Sequence, residues 1–208
     1  RDLVRSRGLG DVYKRQVQYY ELDNYEADDI IGTLANKVDK ELFDVVVLSG
    51  DRDLTQLATE HVKVDITVKG VSEIESYTPA HVAEKYDGLT PLQIIDMKGL
   101  AGDASDNIPG VTKIGEKTAI KLLKEYGSVE GIYEHIDEMK KSKMKENLIN
   151  DREIAFLSKQ LATIDVDAPI EVDVDKLKYE GKDLEKLVPF YQETVSYTHL
   201  TLPTTPYV

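Results

Sequence analysis

The 208-residue chain contains no cysteine, and none of its apolar runs reaches the length of about 18 residues that a membrane-spanning helix requires. The absence of cysteine excludes a disulfide framework and a thiolate zinc site. No apolar segment has the character of a secretory signal peptide. These absences predict a cytoplasmic protein with no membrane partner.

Arginine is scarce and unevenly distributed. Four of the six arginines lie within residues 1–16, whereas the rest of the chain favours lysine. Residues 195–208 contain no Asp, Glu, Lys or Arg, although charged residues make up 31% of the chain. Both ends resemble translated sequencing-adapter sequence, so we expect residues 1–16 and 193–208 to be non-native. The alternative is a genuine flexible tail.

The rest of the composition is that of a globular protein. Apolar residues make up 41% of the chain, which is enough for one core with an attached helical region rather than two independent domains. Acidic residues outnumber basic residues by 39 to 26, giving a net charge of −13. Such a charge opposes the binding of a polyanion over the whole surface, so any binding of this kind must use local basic patches.

Acidic residues gather in three short segments. The first segment, residues 26–29, begins a predicted helix with an apolar stripe. The second, residues 51–53, directly follows the apolar strand predicted at 43–49. The third, residues 103–106, comes just before the glycine-rich connection described below. Acids at these places also have ordinary roles, since they complement a helix dipole or form turns. The seven acids are Glu26, Asp28, Asp29, Asp51, Asp53, Asp103 and Asp106.

Clustered carboxylates favour a metal site, because they repel one another unless a cation lies among them. Oxygen ligands suit a hard cation such as Mg²⁺, and a basin of acids can hold two such ions. His61, His81 and His135 lie outside the clusters, which argues against zinc. With two metals, a bound water can attack a phosphodiester without a protein nucleophile, so we interpret the acids as ligands and not as general bases.

A glycine-rich segment with lysines follows the third acidic cluster. Gly110 and Gly115 bracket a tight connection that leads into an amphipathic helix. The first-turn amides of such a helix bind phosphate without regard to the neighbouring base. We therefore predict a helix-hairpin-helix DNA-binding region; the alternative is an ordinary helix pair with solvated lysines. The predicted DNA-binding residues are Gly110, Lys113, Gly115, Lys117, Thr118 and Lys121.

Three motifs, at residues 25–35, 48–57 and 102–111, resemble the 5′-nuclease domain of bacterial DNA polymerases I, within the flap endonuclease group. The resemblance runs from about residue 17 to about residue 192. It implies metal roles for all seven acids with two or more Mg²⁺ or Mn²⁺ ions, and a helix-three-turn-helix at about 100–126 that grips duplex DNA. It also implies cleavage of 5′ flaps and 5′ ends on flapped, nicked or gapped duplexes during primer removal and repair, by a nucleoid-associated monomer with a polymerase domain covalently linked to it in the native protein.

The chain also departs from that family. Members begin with a strand that carries an Asp, followed by another acid and an arch of helices that threads the 5′ strand, and none of these precedes Val17. One alternative is therefore a catalytically impaired fragment that only binds DNA, selecting structure and not sequence. A second alternative is a related metal-dependent ribonuclease, which the predicted hairpin disfavours.

The predicted fold class is α/β: a truncated, mainly parallel sheet of the flap-nuclease (PIN-like) type with helices, plus the helix-three-turn-helix. Residues 17–98 form the partial nuclease core and 99–192 the hairpin and C-terminal part. Predicted helices span 26–39, 53–58, 79–86, 91–98, 116–126, 128–136, 143–160 and 184–191, and predicted strands span 43–49, 62–68 and 72–77, with strand-like segments at 161–166 and 170–172.

Overall fold

A computed structural model describes residues 20–69, 73–173, 177, 178 and 185 of the chain. Contacts divide the chain into two compact units, Asn24–Ile170 and a second made of Arg1–Asp23 with Glu171–Val208. All elements given below belong to the unit Asn24–Ile170. Among the described residues, no helix combines the length and apolar character needed to cross a bilayer.

The first half of this unit contains a small mixed sheet. Strand β1 (Val45–Ser49) pairs in parallel with β2 (Val62–Lys69), and β2 pairs antiparallel with β3 (Glu73–Tyr77). The strand order is β1-β2-β3, with Val47 opposite Val64. The predicted α/β class is confirmed, and within the described residues one strand pair is parallel and the other is antiparallel.

Helices precede and follow the strands and make up the second half of the unit. Helix α1 (Ala27–Lys37) precedes β1, and a 3-10 helix (Arg52–Leu57) follows it. The later helices are α2 (Pro79–Lys85), α3 (Gln93–Ala101), α4 (Glu116–Tyr126), α5 (Val129–Glu134), a 3-10 turn (Ile136–Glu138), α6 (Lys143–Asn150) and α7 (Arg152–Ala162). Most predicted elements are confirmed to within three residues at either end.

The single helix predicted at 143–160 is wrong, because the chain breaks into α6 and α7 at Asp151. The Asp151 carboxylate accepts the backbone amide of Thr112 at 2.8 Å. This long-range hydrogen bond holds Asp151 at φ −102° and ψ 21°, outside helical geometry. The apolar periodicity continues across the break and therefore does not reveal it.

The strand-like segments predicted at 161–166 and 170–172 are also wrong. Residues 161 and 162 complete α7, and residues 163–172 form no strand. Side chains hold this segment instead: the Ile164 amide donates to Gln56 at 3.0 Å, and the Ala168 amide donates to Thr33 at 2.9 Å. The helix predicted at 184–191 lies outside the described residues except for Glu185, as do residues 1–16 and 193–208.

Strand β1 is buried on one face only, whereas its run of β-branched apolar residues is typical of a buried parallel strand. Val47 is 6% exposed, but Val46 and Leu48 are 58% and 61% exposed. The covered face belongs to one continuous core that extends from the sheet through Leu54 to Leu100 and Leu123. This core packs the sheet, the 3-10 helix, α3 and α4 together and so fixes the loops between them.

The loop between α3 and α4 is closed by two glycines in contact. Gly102 and Gly110 have φ of +73° and +63°, and a Cβ on Gly110 would lie 2.2 Å from the Gly102 nitrogen. Between them, the backbones of Asp103 and Ile108 exchange hydrogen bonds of 2.9 and 2.8 Å. Only glycine fits such a close backbone approach in the left-handed region.

Replacing Gly110 therefore tests how the loop closes. We expect Gly110→Ala to lower the free energy of unfolding by about 2 kcal/mol or more, because the new Cβ clashes with backbone. Gly115→Ala is the matched control: Gly115 has φ −99° and no atom within 4 Å of an added Cβ, so its effect should stay below about 1 kcal/mol. Urea unfolding measures both, and equal losses would contradict this account of the loop.

Candidate metal centre and nucleic-acid contacts

Asp51 and Asp53 are presented where β1 ends and the 3-10 helix begins. Asp51 caps that helix, since its Oδ1 accepts the Asp53 amide at 2.9 Å. Its own amide donates to the Ser49 hydroxyl at 3.1 Å. These short-range bonds fix the direction in which the chain leaves the sheet, and they leave Asp53 half-buried beneath Asp51.

Asp103 and Asp106 are presented by the glycine-closed loop. The two backbone hydrogen bonds between Asp103 and Ile108 close this loop into a tight turn, in which Asn107 has φ +58°. Asp103 Oδ1 accepts the Ser105 amide at 2.9 Å and also the Ser105 hydroxyl. The loop therefore holds the Asp103 carboxylate in one orientation.

The acids at the start of α1 divide into two roles. Glu26 and Asp29 form a capping box, in which the Asp29 Oδ2 accepts the Glu26 amide at 3.1 Å. Asp29 Oδ1 accepts the Asp165 amide at 2.9 Å, so both of its oxygens bind backbone. Asp28 lies between these two residues in sequence and has no such hydrogen bond among the described residues.

The tertiary structure brings three of the predicted acids into one cluster. One carboxylate oxygen from each of Asp53, Asp103 and Asp106 lies within 4.8 Å of the other two. They line a cavity of about 650 Å³ that also includes Asp51 and, at its other side, Glu116 from the first turn of α4. The all-oxygen donor set and its spacing fit a hard divalent cation.

Asp28 is electrostatically coupled to this cluster. Burial, followed in order by the negative charges of Asp51, Asp53, Glu26 and Asp29, raises its pKa to about 6. The acids of α1 therefore face those that follow β1. Of the seven predicted acids, three form the cluster, Asp51 lines the same cavity, and Asp28 is coupled to Asp51 and Asp53 through their charges. Glu26 and Asp29 mainly hold the start of α1.

Lys98 is the residue of this site that the sequence analysis missed. Its side chain is 11% exposed, and its ammonium contacts Asp53 and lies 2.7 Å from Asp103 Oδ2. The signal was a charge within the otherwise apolar helix segment 93–101, where Asp96 is the other charged residue. A buried lysine in such a segment must have an acidic partner.

The two acids that pair with Lys98 differ in the direction in which their pKa values are shifted. Burial raises the pKa of Asp53, and its hydrogen bond with Lys98 only partly offsets this rise. Burial also acts to raise the pKa of Asp103, but hydrogen bonds from Lys98 and Ser105 outweigh it and lower that pKa to about 2. Asp103 is therefore firmly ionised, whereas Asp53 and Asp28, whose pKa values are raised, are ionised less readily.

The predicted DNA-binding residues lie in the helix-hairpin-helix region, in the loop before α4 and in α4 itself, where Glu116 lines the cavity. Lys113, Lys117 and Lys121 are exposed, and none is paired with an acidic side chain in the described part of the chain. Gly115 caps α4 without a side chain, and the space around it is open. Thr118 is partly buried and its amide donates to the Gly115 carbonyl at 2.9 Å. Gly110, the remaining predicted residue, also has a structural role, because its backbone contacts Gly102 too closely for a side chain.

Other polar groups have structural partners. Lys145 donates to the backbone carbonyls of Asp137 and Met139 at 3.1 Å each, and Lys143 pairs with Glu146 at 2.8 Å. These bonds favour an ordinary structural role for Lys143 and Lys145. His81 contacts Glu75 at 3.0 Å, away from the acidic cluster, as the sequence analysis expected.

Two family models together match most of the chain. The model described as "5′-3′ exonuclease, N-terminal resolvase-like domain" matches residues 12–87, and the model described as "5′-3′ exonuclease, C-terminal SAM fold" matches residues 89–185. The first match contains the acids of α1 and of the β1 end, and the second contains Asp103, Asp106 and the hairpin. The cavity therefore lies where the two matched regions meet.

Curated relatives are bacterial DNA polymerases I. The Streptococcus pneumoniae R6 enzyme is 60% identical over 177 residues, which cover 85% of this chain and 20% of the relative. The Bacillus subtilis enzyme is 57% identical over 187 residues, covering 90% of this chain and 21% of the relative. The chain thus spans about a fifth of the length of these relatives.

Solved structures with a similar fold include a 5′-exonuclease and a flap endonuclease. A mutant T5 5′-exonuclease matches with a TM-score of 0.61 and 25% identity, covering 85% of this chain and 68% of the other. The T5 D15 flap endonuclease in a pseudo-enzyme-product complex with DNA and metal ions matches with the same score and identity, covering 61% of that chain. The catalytic core of Rad2 with DNA shares the fold at a TM-score of 0.57 and 17% identity, covering 91% of this chain and 63% of its own.

The raised pKa of Asp28 predicts a pH-dependent stability of the metal-free protein. Because the folded pKa of about 6 exceeds the unfolded value of 3.8, the folded state binds this proton more tightly, and its stabilising effect is lost as the pH rises through 6. Asp28→Asn cannot ionise, so we expect it to raise the Tm at pH 8 by at least about 2 °C and to change it little at pH 4.

Thermal unfolding followed by circular dichroism in EDTA measures this difference. Asp44→Asn is the control, since Asp44 precedes the opposite end of β1 and its side chain is 86% exposed. Its ion pair with His61, at 3.5 Å, is also exposed and contributes little to stability. We expect the control to follow the unaltered chain at both pH values. A Tm for Asp28→Asn that is lower at pH 8 than that of the unaltered chain would contradict the repulsion inferred here.

Proposed function

Because the chain belongs to the 5′-3′ exonuclease family, whose N-terminal and C-terminal domains it both contains, we propose that it is a metal-dependent nuclease domain that hydrolyses DNA phosphodiester bonds at 5′ flaps and 5′ ends. The observation that carries this proposal is the cluster of Asp53, Asp103 and Asp106 in a cavity that borders the hairpin. A cation site beside a phosphate-binding helix start supports metal-dependent hydrolysis of a phosphodiester.

The metals of this proposal are Mg²⁺ or Mn²⁺, in two or more positions. Asp53, Asp103 and Asp106 would hold one ion, and Asp28 and Asp51 would face a second. Bound divalent ions lower the pKa of a coordinated water and stabilise the charge on the attacking and leaving oxygens. Glu26 and Asp29 contribute by holding the start of α1, because their carboxylates already accept backbone amides.

The hairpin supplies the DNA-binding surface. Gly115 leaves the first turn of α4 open to an approaching phosphate, and Lys113, Lys117 and Lys121 add exposed positive charge around it. These groups contact only phosphate, so binding should depend on DNA structure and not on base sequence. Glu116 lies in the same helix turn as Lys117 and also lines the cavity, so bound duplex would lie next to the acids.

The proposal extends to the whole protein through its relatives. They are DNA polymerases I, of which this chain spans about a fifth, so we propose a polymerase domain in the same polypeptide and a role in primer removal and repair. We further propose a cytoplasmic, nucleoid-associated monomer. The alternative of a small ribonuclease has no support, since both matched family models describe 5′-3′ exonucleases.

Cleavage of a labelled 5′-flap duplex tests the nuclease function. Two proteins are compared: the 208-residue chain, and a version in which residues 1–16 are replaced by the opening segment of the Bacillus subtilis relative, where the family resemblance implies a further Asp and the helical arch. We expect Mg²⁺-dependent cleavage by the second protein. The first should bind DNA but cleave at least about 100-fold more slowly, because groups that orient the reacting phosphate are lacking.

The double substitution Asp51→Asn with Asp53→Asn in the second protein is the control. It should abolish cleavage and leave flap binding intact. Absence of cleavage by the otherwise unaltered second protein would overturn the nuclease proposal and leave the DNA-binding alternative. Rapid cleavage by the 208-residue chain would show that the added segment is dispensable.

A charge reversal on α4 tests the DNA surface. We expect Lys117→Glu to weaken duplex binding equally on unrelated sequences and to reduce the slope of log affinity against log salt by about 1, because one phosphate contact is lost. Lys143→Glu is the control, since Lys143 already pairs with Glu146 on α6. Fluorescence anisotropy at several salt concentrations measures both. A marked sequence preference, or binding that ignores salt, would refute the hairpin assignment.

A further inference from the structure

Lys98 occupies the centre of the candidate metal cluster. Its ammonium contacts Asp53 Oδ1 and lies 2.7 Å from Asp103 Oδ2, and these two acids together with Asp106 form the triad whose oxygens lie within 4.8 Å. The lysine side chain is 11% exposed and lines the same cavity. A protein cation thus stands among the oxygens that a divalent ion would use.

Both oxygens of Asp103 are already engaged. Oδ2 pairs with Lys98, while Oδ1 accepts the amide and the hydroxyl of Ser105. Ser105 and Asp103 lie in the same loop, so their hydrogen bonds persist if the loop moves. The contact with Lys98 is made by a long side chain from α3, which can rotate away from Asp103. A divalent ion that binds Asp103 must therefore compete first with the lysine.

From this arrangement we propose that Lys98 is an internal counter-ion that holds Asp53 and Asp103 together in the metal-free protein and weakens the binding of divalent ions at the triad, because it must release at least one of the two carboxylates first. The inference rests on the proposed function, since it assumes that the triad binds metal. It adds a positioning residue that the acids themselves do not reveal.

Lys159 offers a matched comparison within the same chain. Its ammonium also bridges two acids, at 2.7 Å from Asp96 and 2.7 Å from Glu130, and it is likewise largely buried, but it does not line the cavity. Removing either lysine removes one positive charge from a two-acid bridge. Only the removal of Lys98 changes the charge at the candidate metal cluster.

Titration of the 208-residue chain with Mn²⁺, with free Mn²⁺ counted by electron paramagnetic resonance, tests the proposal. We expect Lys98→Met to bind Mn²⁺ at least about tenfold more tightly, because a like charge within ion-pair distance of the site is removed. Lys98→Arg keeps the charge and should remain within about threefold of the unaltered chain. Lys159→Met should leave the affinity unchanged.

Unchanged or weaker Mn²⁺ binding by Lys98→Met would overturn the counter-ion role, provided that Asp51→Asn with Asp53→Asn abolishes binding. Absence of Mn²⁺ binding in the unaltered chain and in Lys98→Met alike would instead overturn the metal centre of the proposed function. If Lys98→Met unfolds in metal-free buffer, recovery of its circular dichroism at or below the Mn²⁺ concentration that saturates the unaltered chain supports the proposal, and failure to recover there overturns it.

Discussion

Repulsion among carboxylates is the constraint on which the site of this chain depends. Asp53, Asp103 and Asp106 form one cluster, and Asp51 lines the same cavity. Burial together with repulsion from Asp51, Asp53, Glu26 and Asp29 raises the pKa of Asp28 to about 6. Such a group either takes up a proton or is compensated by nearby cations. Lys98 supplies one positive charge from within the fold, and divalent ions would supply the rest.

The acids can converge because backbone hydrogen bonds fix each segment before the side chains meet. Asp51 caps the 3-10 helix, Asp103 lies in a hairpin closed by Gly102 and Gly110, and a capping box begins α1. Sites placed on rigid elements hold their ligands with little loss of conformational entropy on binding. The loop therefore needs its glycines for shape, while the chemistry belongs to the acids between them.

The segment 163–170 connects the two sides of the fold. Thr33 on α1 bonds to this segment at the backbone of Asp165 and Ala168, and Gln56 on the 3-10 helix bonds to the backbone of Ala162 and Ile164. These contacts pull the acidic start of α1 towards the acids after β1. Because side chains more than a hundred residues away satisfy its backbone, an apolar segment that is typical of a strand needs no strand partner here.

The sequence by itself determined the local features: the helix and strand periods, the glycine-rich loop, the three acidic segments and the family to which they belong. Each of these depends on residues that are close in the chain, so pattern and spacing report them directly. The break between α6 and α7 at Asp151 did not show, because a distant amide, that of Thr112, causes it.

Only the tertiary structure decided which acids lie in one cluster and that Lys98 lies beside them. Asp53 and Asp103 are 50 residues apart, and they meet because one core packs the 3-10 helix beneath α3. Burial then sets how strongly the charges interact, since the same acids in water would repel one another only weakly. The sequence thus specifies the acids, and packing brings them together.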